Sequence, residues 1–376
     1  MVEQQKKSVF KTYMIYFIAM SLFCVVRILA SQGWLGSLKT KVSDTVFTLI
    51  IQVGIMVLIP ITLYMLFIRV TPKQVFKTVN FCKTNFSTIL ISIILGIIMF
   101  FMTMVVSSIF NGIISFSGYR TPLTFESLGE PDFGLGAFFL NVLLVAILPA
   151  IGEEFLHRGL LLQGTKHIGF SKAIIISSIC FGLIHFNIGQ VSYAIVLGLV
   201  MGFASVVSKN LWVPIIMHFV HNFISVYLEF AEANDWLLGD YNIWLTKLSS
   251  LDFWIICVIC FVALCIIAIA LFYSIILLYR QSILKRVNRA IEKVYSKDKN
   301  LNDEPVLVEK KRVIQDMLEN NTMINLNYEE MKSPMELVMP KQKVKYKPSF
   351  KDNIFLICSI TLGALITLFT YIWGFI

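Results

Sequence analysis

Charged residues are scarce in this chain: they make up 15% of its 376 residues, against 57% hydrophobic residues and a mean hydropathy of +0.77. This scarcity excludes an ordinary soluble protein, whose apolar share is nearer half. The apolar runs also lack the in–out alternation of a transmembrane β-barrel. Several runs exceed the roughly 20 residues that cross a bilayer as a helix. We therefore predict an all-α, polytopic bundle of membrane helices.

The apolar runs predict about nine transmembrane helices. Proline should kink or break two of them, because Pro60 lies in the second and Pro149 in the fourth. No repeat of the solenoid or inverted-transporter kind is evident. The predicted spans begin near Tyr13, Asp44, Thr88, Gly136, Lys172, Ser192, Trp212, Asp252 and Asn353.

The positions of lysine and arginine predict the orientation. The segment 69–83 holds one arginine, three lysines and no acid, whereas the segments 112–135 and 229–252 are acidic. By the positive-inside rule the first is cytoplasmic and the other two are external. The N-terminus is then cytoplasmic in a multi-pass protein of the cell membrane. Because the net charge of +9 gathers in such loops, we predict no nucleic-acid partner.

We divide the chain into five parts. Two are helical and flank a charged segment: an external loop with a membrane helix (229–279) and a C-terminal membrane helix (353–376). The charged segment itself (280–352) is predicted to be a cytoplasmic loop region and is the candidate surface for a cytoplasmic partner. The remaining parts are N-terminal membrane helices (1–135) and a core that carries the polar motifs (136–228).

Three polar motifs interrupt the apolar runs between residues 153 and 222. Each ionisable group placed in a membrane span costs about 2.5–3.5 kcal/mol on insertion scales, so such groups indicate function. Carboxylate, imidazole and amide groups are also the types that activate water and stabilise an oxyanion. The motifs are Glu153-Glu154-x-x-x-Arg158, Phe181-x-x-x-His185 and His218-x-x-x-Asn222.

The first motif contains two carboxylates in different positions. Glu154 and Arg158 are four residues apart on one helix face, which predicts a structural ion pair. Glu153 projects about 100° away from that pair and is the spare carboxylate, available as a base. His157 is also four residues from Glu153 and within its reach. The alternative is that these groups are simply solvated at the membrane interface. Depth argues against it, because Glu153 and His185 both lie roughly 20 Å from the cytoplasmic side.

The histidines leave more than one interpretation open. A lone His185 in an apolar helix is often just hydrogen-bonded to a neighbour, whereas His218 and Asn222 share a helix face. His221 points away from that line and ranks lower. His185, His218 and a glutamate are also conceivable zinc ligands. Because the chain has no His-Glu-x-x-His helix and asparagine is a poor zinc ligand, we predict no metal or other cofactor and keep zinc as the alternative.

In this order, the three motifs resemble those of the CPBP family of intramembrane proteases, which includes the type II CAAX prenyl endopeptidases and many bacterial Abi-type proteins. The resemblance covers about 138–227. Flanking residues agree as well: Arg158-Gly159-x-Leu161, Gly198 with Gly202, and Leu211-Trp212-x-Pro214.

The resemblance implies a glutamate-dependent hydrolase. Glu153 would be the general base that activates water, and His185 would help to position that water. His218 and Asn222 would stabilise the tetrahedral oxyanion. The supporting residues would be Glu154 and Arg158, which hold the helix and orient the base.

The resemblance also implies a substrate: a peptide or membrane protein reached within the lipid bilayer. Bacterial relatives are linked with peptide maturation and bacteriocin self-immunity. Two other functions remain as hypotheses. A non-catalytic scaffold would bind partner proteins through 280–352 and would not need Glu153. A transporter would need a polar pathway through several spans, and outside the three motifs the spans carry few charges.

Overall fold

The computed structural model describes residues 2–31, 41–119, 134–241, 258–259, 261–278, 281 and 347–373. These residues form helices and no strand, which confirms the all-α class. The predicted charged segment 280–352 lies outside the described residues except for residue 281 and residues 347–352. Its structure and the division into five parts therefore stay predictions.

Eight helices within the described ranges are long and apolar enough to cross a membrane. The predicted fifth span, near Lys172, is the exception: Phe170–Leu183 is helical and apolar but has only 14 residues. The described residues thus contain eight candidate spans and one shorter apolar helix. The eight spans are Ser8–Leu29, Thr45–Ile68, Phe86–Ser115, Leu135–Ile168, Ile188–Ser208, Trp212–Ala233, Phe261–Leu278 and Phe350–Ile372.

The helix bounds follow local signals in several places. Thr71 and Gln74 form a capping box at the start of Pro72–Thr78. Asn85 caps Phe86–Ser115, because its side chain accepts from the Thr88 amide at 2.7 Å. The other described α-helices are Val2–Ser31, Lys41–Leu49, Ile59–Ile68, Leu135–Asn141, Leu148–Glu154, Gln163–Thr165, Phe170–Leu183, Ile188–Ser208, Trp212–Ala233, Phe261–Leu278 and Phe350–Trp373. Phe155–Leu162, which contains His157 and Arg158, is π-helical, and Lys166–Ile168 is a 3₁₀ turn.

Neither proline breaks its helix. Ile50–Leu58 is π-helical and ends just before the α-helix that contains Pro60. Val142–Ile147 is likewise π-helical and precedes the helix that contains Pro149. Proline removes one backbone N–H and crowds the carbonyl four residues earlier, so a wider turn before it lets the helix continue. π-Helical turns are rare and are often found at functional sites.

Small residues let the central helices approach closely, as in other membrane bundles. A Cβ on Gly198 would lie 2.8 Å from the Cα of Ser178, so only glycine fits where the 188–208 helix crosses the 170–183 helix. A Cβ on Gly152 would lie 2.7 Å from the backbone oxygen of Gln52. The first contact packs the 188–208 helix against the helix that carries Phe181 of the second motif, and the second packs the second span against the segment that carries the first motif.

Candidate active site

The centre of the site is a buried ion pair. Arg158 Nη1 donates to Glu154 Oε1 at 2.5 Å, and both side chains are fully buried. The predicted pairing of these two residues is therefore present. Arg158 Nη2 also donates to the backbone oxygen of Gly198 at 3.2 Å. The guanidinium carbon lies 4.3 Å from the ring centroid of Phe181, a cation–π contact.

His218 joins this pair from the 212–233 helix. Its Nδ1 lies 3.0 Å from Glu154 Oε1. Because an ionised carboxylate only accepts, Nδ1–H is the donor. One oxygen of Glu154 thus receives hydrogen bonds from both Arg158 and His218, which links the first motif to the third. The other oxygen, Oε2, is buried and has no hydrogen-bond partner within the described residues.

The ring of Phe181 holds the histidines together. Its centroid lies 5.1 Å from that of His157, 5.2 Å from that of His185 and 5.8 Å from that of His218. All three imidazoles meet it edge to face, with interplanar angles of 73–89°, an arrangement that aromatic rings prefer. The phenylalanine of the second motif therefore contacts residues of all three motifs.

His185 lies just beyond the 170–183 helix and is half-buried. Its Nδ1 lies 2.8 Å from the backbone oxygen of Phe181. A carbonyl only accepts, so Nδ1 carries a proton and Nε2 of the neutral ring has a lone pair. The hydrogen bond to a neighbour is thus present, and it still leaves one ring nitrogen able to act on water.

Glu153 has a different environment from Glu154. It is half-buried, and its Oε1 accepts from Gln52 Nε2 at 3.3 Å. Within the part of the chain that the structure describes, no cation pairs with this carboxylate. His157 reaches the backbone oxygen of Glu153 at 2.8 Å through Nδ1, and no hydrogen bond joins it to the carboxylate. Of the two adjacent carboxylates, Glu153 is therefore the one that forms no ion pair with a described residue.

His157 is fully buried and is held by a residue from the first span. Its Nε2 lies 3.2 Å from the hydroxyl of Tyr16. The same hydroxyl lies 3.0 Å from the backbone oxygen of Cys180, and because it has one proton, that proton is shared between the Cys180 oxygen and His157 Nε2. Since Nδ1 donates to the Glu153 carbonyl, Nε2 is the acceptor of the neutral ring. Tyr16 thereby connects the 170–183 helix to His157, which in turn is hydrogen-bonded to the backbone of Glu153.

Asn222 is positioned by two other groups and has no hydrogen bond to His218 within the described residues. Its Nδ2 donates to the backbone oxygen of Val145 at 2.9 Å. Its Oδ1 accepts from Nδ1 of His221 at 3.0 Å. Nε2 of His221 lies 2.9 Å from the hydroxyl of Thr103. His221, which the sequence ranked lower, thus orients the asparagine.

The zinc alternative needs His185, His218 and a glutamate gathered around one ion. Among the described residues, no group of three or more histidine, cysteine, aspartate or glutamate side chains has an arrangement suited to a metal. Both ring nitrogens of His157 are already hydrogen-bonded, and the bound oxygen of Glu154 is engaged by Arg158 and His218.

The chain is thus a multi-pass helical membrane protein with a buried polar site of carboxylate, guanidinium and imidazole groups. A family model, the Rce1-like type II CAAX prenyl endopeptidases, matches residues 135–224. The match contains all three motifs and confirms the predicted resemblance of this part of the chain to the CPBP/CAAX proteases. No curated protein and no solved structure matches the chain.

The family supports a general function, that of an intramembrane endopeptidase with a peptide or protein substrate. The structure adds side chains from outside the matched region. Tyr16, Gln52 and Thr103 come from the first three spans and contact His157, Glu153 and His221 respectively. The polar motifs did not point to these partners.

Proposed function

We propose that this protein is an intramembrane endopeptidase in which Glu153 activates the attacking water. The observation that carries the proposal is the difference between two adjacent carboxylates. Glu154 is fully buried and bound to Arg158 and His218. Glu153 is half-buried and bound only to the neutral amide of Gln52 among the described residues. A general base must have a lone pair available, so Glu153 is the suitable one of the two.

The chemistry needs two proton transfers. The oxygen of a water attacks the carbonyl carbon of the scissile peptide bond while Glu153 takes one of its protons. Nε2 of His185 accepts a hydrogen bond from the other O–H and orients the water. The tetrahedral intermediate then loses its C–N bond, and Glu153 returns the proton to the leaving nitrogen.

The oxyanion of that intermediate needs donors already in place. Asn222 has a second N–H on Nδ2 beyond the one given to Val145. The Glu154 carboxylate holds one proton of His218 at Nδ1. For His218 to donate to the oxyanion as well, Nε2 must also carry a proton, and the Glu154 carboxylate at Nδ1 is the counter-ion for the imidazolium that this requires. These roles rest on the family resemblance and on the hydrogen bonds of the two side chains.

We further propose that the protein works in the cell membrane with its N-terminus in the cytoplasm, on membrane-associated peptides or proteins. Bacterial relatives are linked with peptide maturation and bacteriocin self-immunity, so peptides of these kinds are the first substrates to test. The segment 280–352 remains the proposed surface for a cytoplasmic partner.

The test compares purified wild type with Glu153→Gln in detergent on a fluorogenic peptide library, with and without a zinc chelator. Glu229→Gln is the matched control, because Glu229 is exposed and lies two turns beyond Asn222, near the end of the 212–233 helix. We expect wild type and Glu229→Gln to cleave with or without chelator, and Glu153→Gln to be inactive. Activity that chelation abolishes and Zn²⁺ restores would replace this mechanism with the metal alternative. A cellular phenotype that survives Glu153→Gln but not deletion of 282–346 would favour the scaffold.

A further inference from the structure

Gln52 is the side chain from outside the matched family region that contacts the carboxylate of Glu153. It lies in the π-helical segment Ile50–Leu58 of the second span. Its Nε2 donates to Glu153 Oε1 at 3.3 Å. This amide is a donor that brings no charge, so it orients the carboxylate without neutralising it.

The backbone around Gln52 is shaped for this contact. Gly152 immediately precedes Glu153, and a Cβ there would lie 2.7 Å from the backbone oxygen of Gln52 and 3.1 Å from its Oε1. Only a glycine at 152 lets the second span come this close. The wide turns of Ile50–Leu58 occur at the same place, which is typical of functional sites.

Stability does not account for the amide. Oε1 of Gln52 is buried and has no hydrogen-bond partner among the described residues. A buried acceptor without a partner is destabilising, and an apolar side chain of the same shape would avoid that cost. Such a group needs another explanation, and the donation to Glu153 supplies one.

We propose that Gln52 is a positioning residue for the hydrolysis. It holds one oxygen of Glu153 so that the other faces the attacking water. This inference rests on the proposed function, because it assigns Gln52 a role through Glu153. The expected effect of losing one hydrogen bond to a charged group is a fall in kcat of about 10- to 100-fold.

The test is Gln52→Met, which keeps the length of the side chain and removes the donor. Gln163→Met is the matched control, because Gln163 is also a buried glutamine with an Oε1 that lacks a partner among the described residues. We expect Gln52→Met to lower kcat with KM and thermal stability unchanged, and Gln163→Met to keep wild-type kcat. If Gln52→Met does not fold, Gln52→Asn keeps an amide but shortens the side chain by one methylene, so that the donor no longer reaches Glu153, and the same fall in kcat is expected.

Wild-type kcat in Gln52→Met would overturn the proposal, as would an equal loss of kcat in Gln163→Met. Glu153→Gln is measured beside them. If it keeps wild-type activity, the proposed function itself fails. If it is inactive while Gln52→Met is fully active, only the role of Gln52 fails.

Discussion

The carboxylate of Glu154 and the imidazole of His218 meet through a hydrogen bond of 3.0 Å, although the two residues are 64 positions apart in the chain. The same carboxylate oxygen binds Arg158. Oε1 of Glu154 thus accepts hydrogen bonds from Arg158 and from His218 in the interior of the protein. A buried charge network of this kind is destabilised strongly by the loss of any one member.

Replacing Arg158 should therefore destabilise the fold. Arg158→Met leaves the Glu154 carboxylate buried without its cation, and breaking a buried pair costs about 3–5 kcal/mol. The exposed Lys73 gives the control, and Lys73→Met should change the free energy of unfolding by less than about 0.5 kcal/mol. Unfolding in mixed detergent micelles measures both. Adding Glu154→Gln to Arg158→Met should recover part of the loss, and strict additivity of the two variants would contradict the pairing.

Tyr16 should matter through its hydroxyl. Tyr16→Phe leaves Nε2 of the buried His157 without its donor, and an unpaired buried acceptor costs about 1–3 kcal/mol. Tyr273→Phe is the control, because Tyr273 is 49% exposed. Thermal unfolding in detergent should show a lower Tm for Tyr16→Phe alone. Equal Tm values for the two variants would show that this hydroxyl does not hold His157.

Glycine at position 198 should be required for helix approach. In Gly198→Ala the new Cβ would meet Ser178 at 2.8 Å, and overpacking of this kind costs about 1–3 kcal/mol. A displacement of the 188–208 helix would also move the backbone carbonyl of Gly198, which accepts a hydrogen bond from Arg158. Gly112→Ala has nothing within 4 Å and should be neutral or stabilising by up to about 1 kcal/mol. The free energies of unfolding distinguish the two, and a neutral Gly198→Ala would contradict the packing.

Labelling of the Cys82 thiol tests the predicted orientation of the protein in the membrane. Cys82 is exposed and lies in the segment 69–83, which we predict to be cytoplasmic. A membrane-impermeant maleimide should label it in inverted vesicles and not in intact cells, with Cys82→Ser as the control for labelling elsewhere. Labelling of Cys82 in intact cells would reverse the predicted topology.

The sequence predicted what depends on composition and on spacing within one helix. The apolar runs predicted the helical membrane class, and the spacing of four residues predicted the pairing of Glu154 with Arg158. Both are properties of a single segment. The length of the 170–183 helix was missed, because the apolar pattern continues past His185 while the helix ends at Leu183.

Contacts between distant segments could not be predicted in the same way. Periodicity shows which residues share a face, and it does not show which helix lies opposite. The contacts of Tyr16 with His157 and of Gln52 with Glu153 span 141 and 101 residues respectively. A signal for Gln52 existed, since an amide side chain is unusual within an apolar run. Pro60 was the signal for the π-helical turns around it.

The central claim is that Glu153 is the general base and that Glu154 holds the buried ion pair with Arg158. One paired measurement tests it. Glu153→Gln and Glu154→Gln are made singly, and kcat and Tm are measured for each in detergent with a peptide that wild type cleaves. The account predicts that Glu153→Gln abolishes kcat at wild-type Tm, whereas Glu154→Gln lowers Tm because Arg158 loses its counter-ion. Wild-type kcat in Glu153→Gln, or a loss of activity confined to Glu154→Gln, would contradict it.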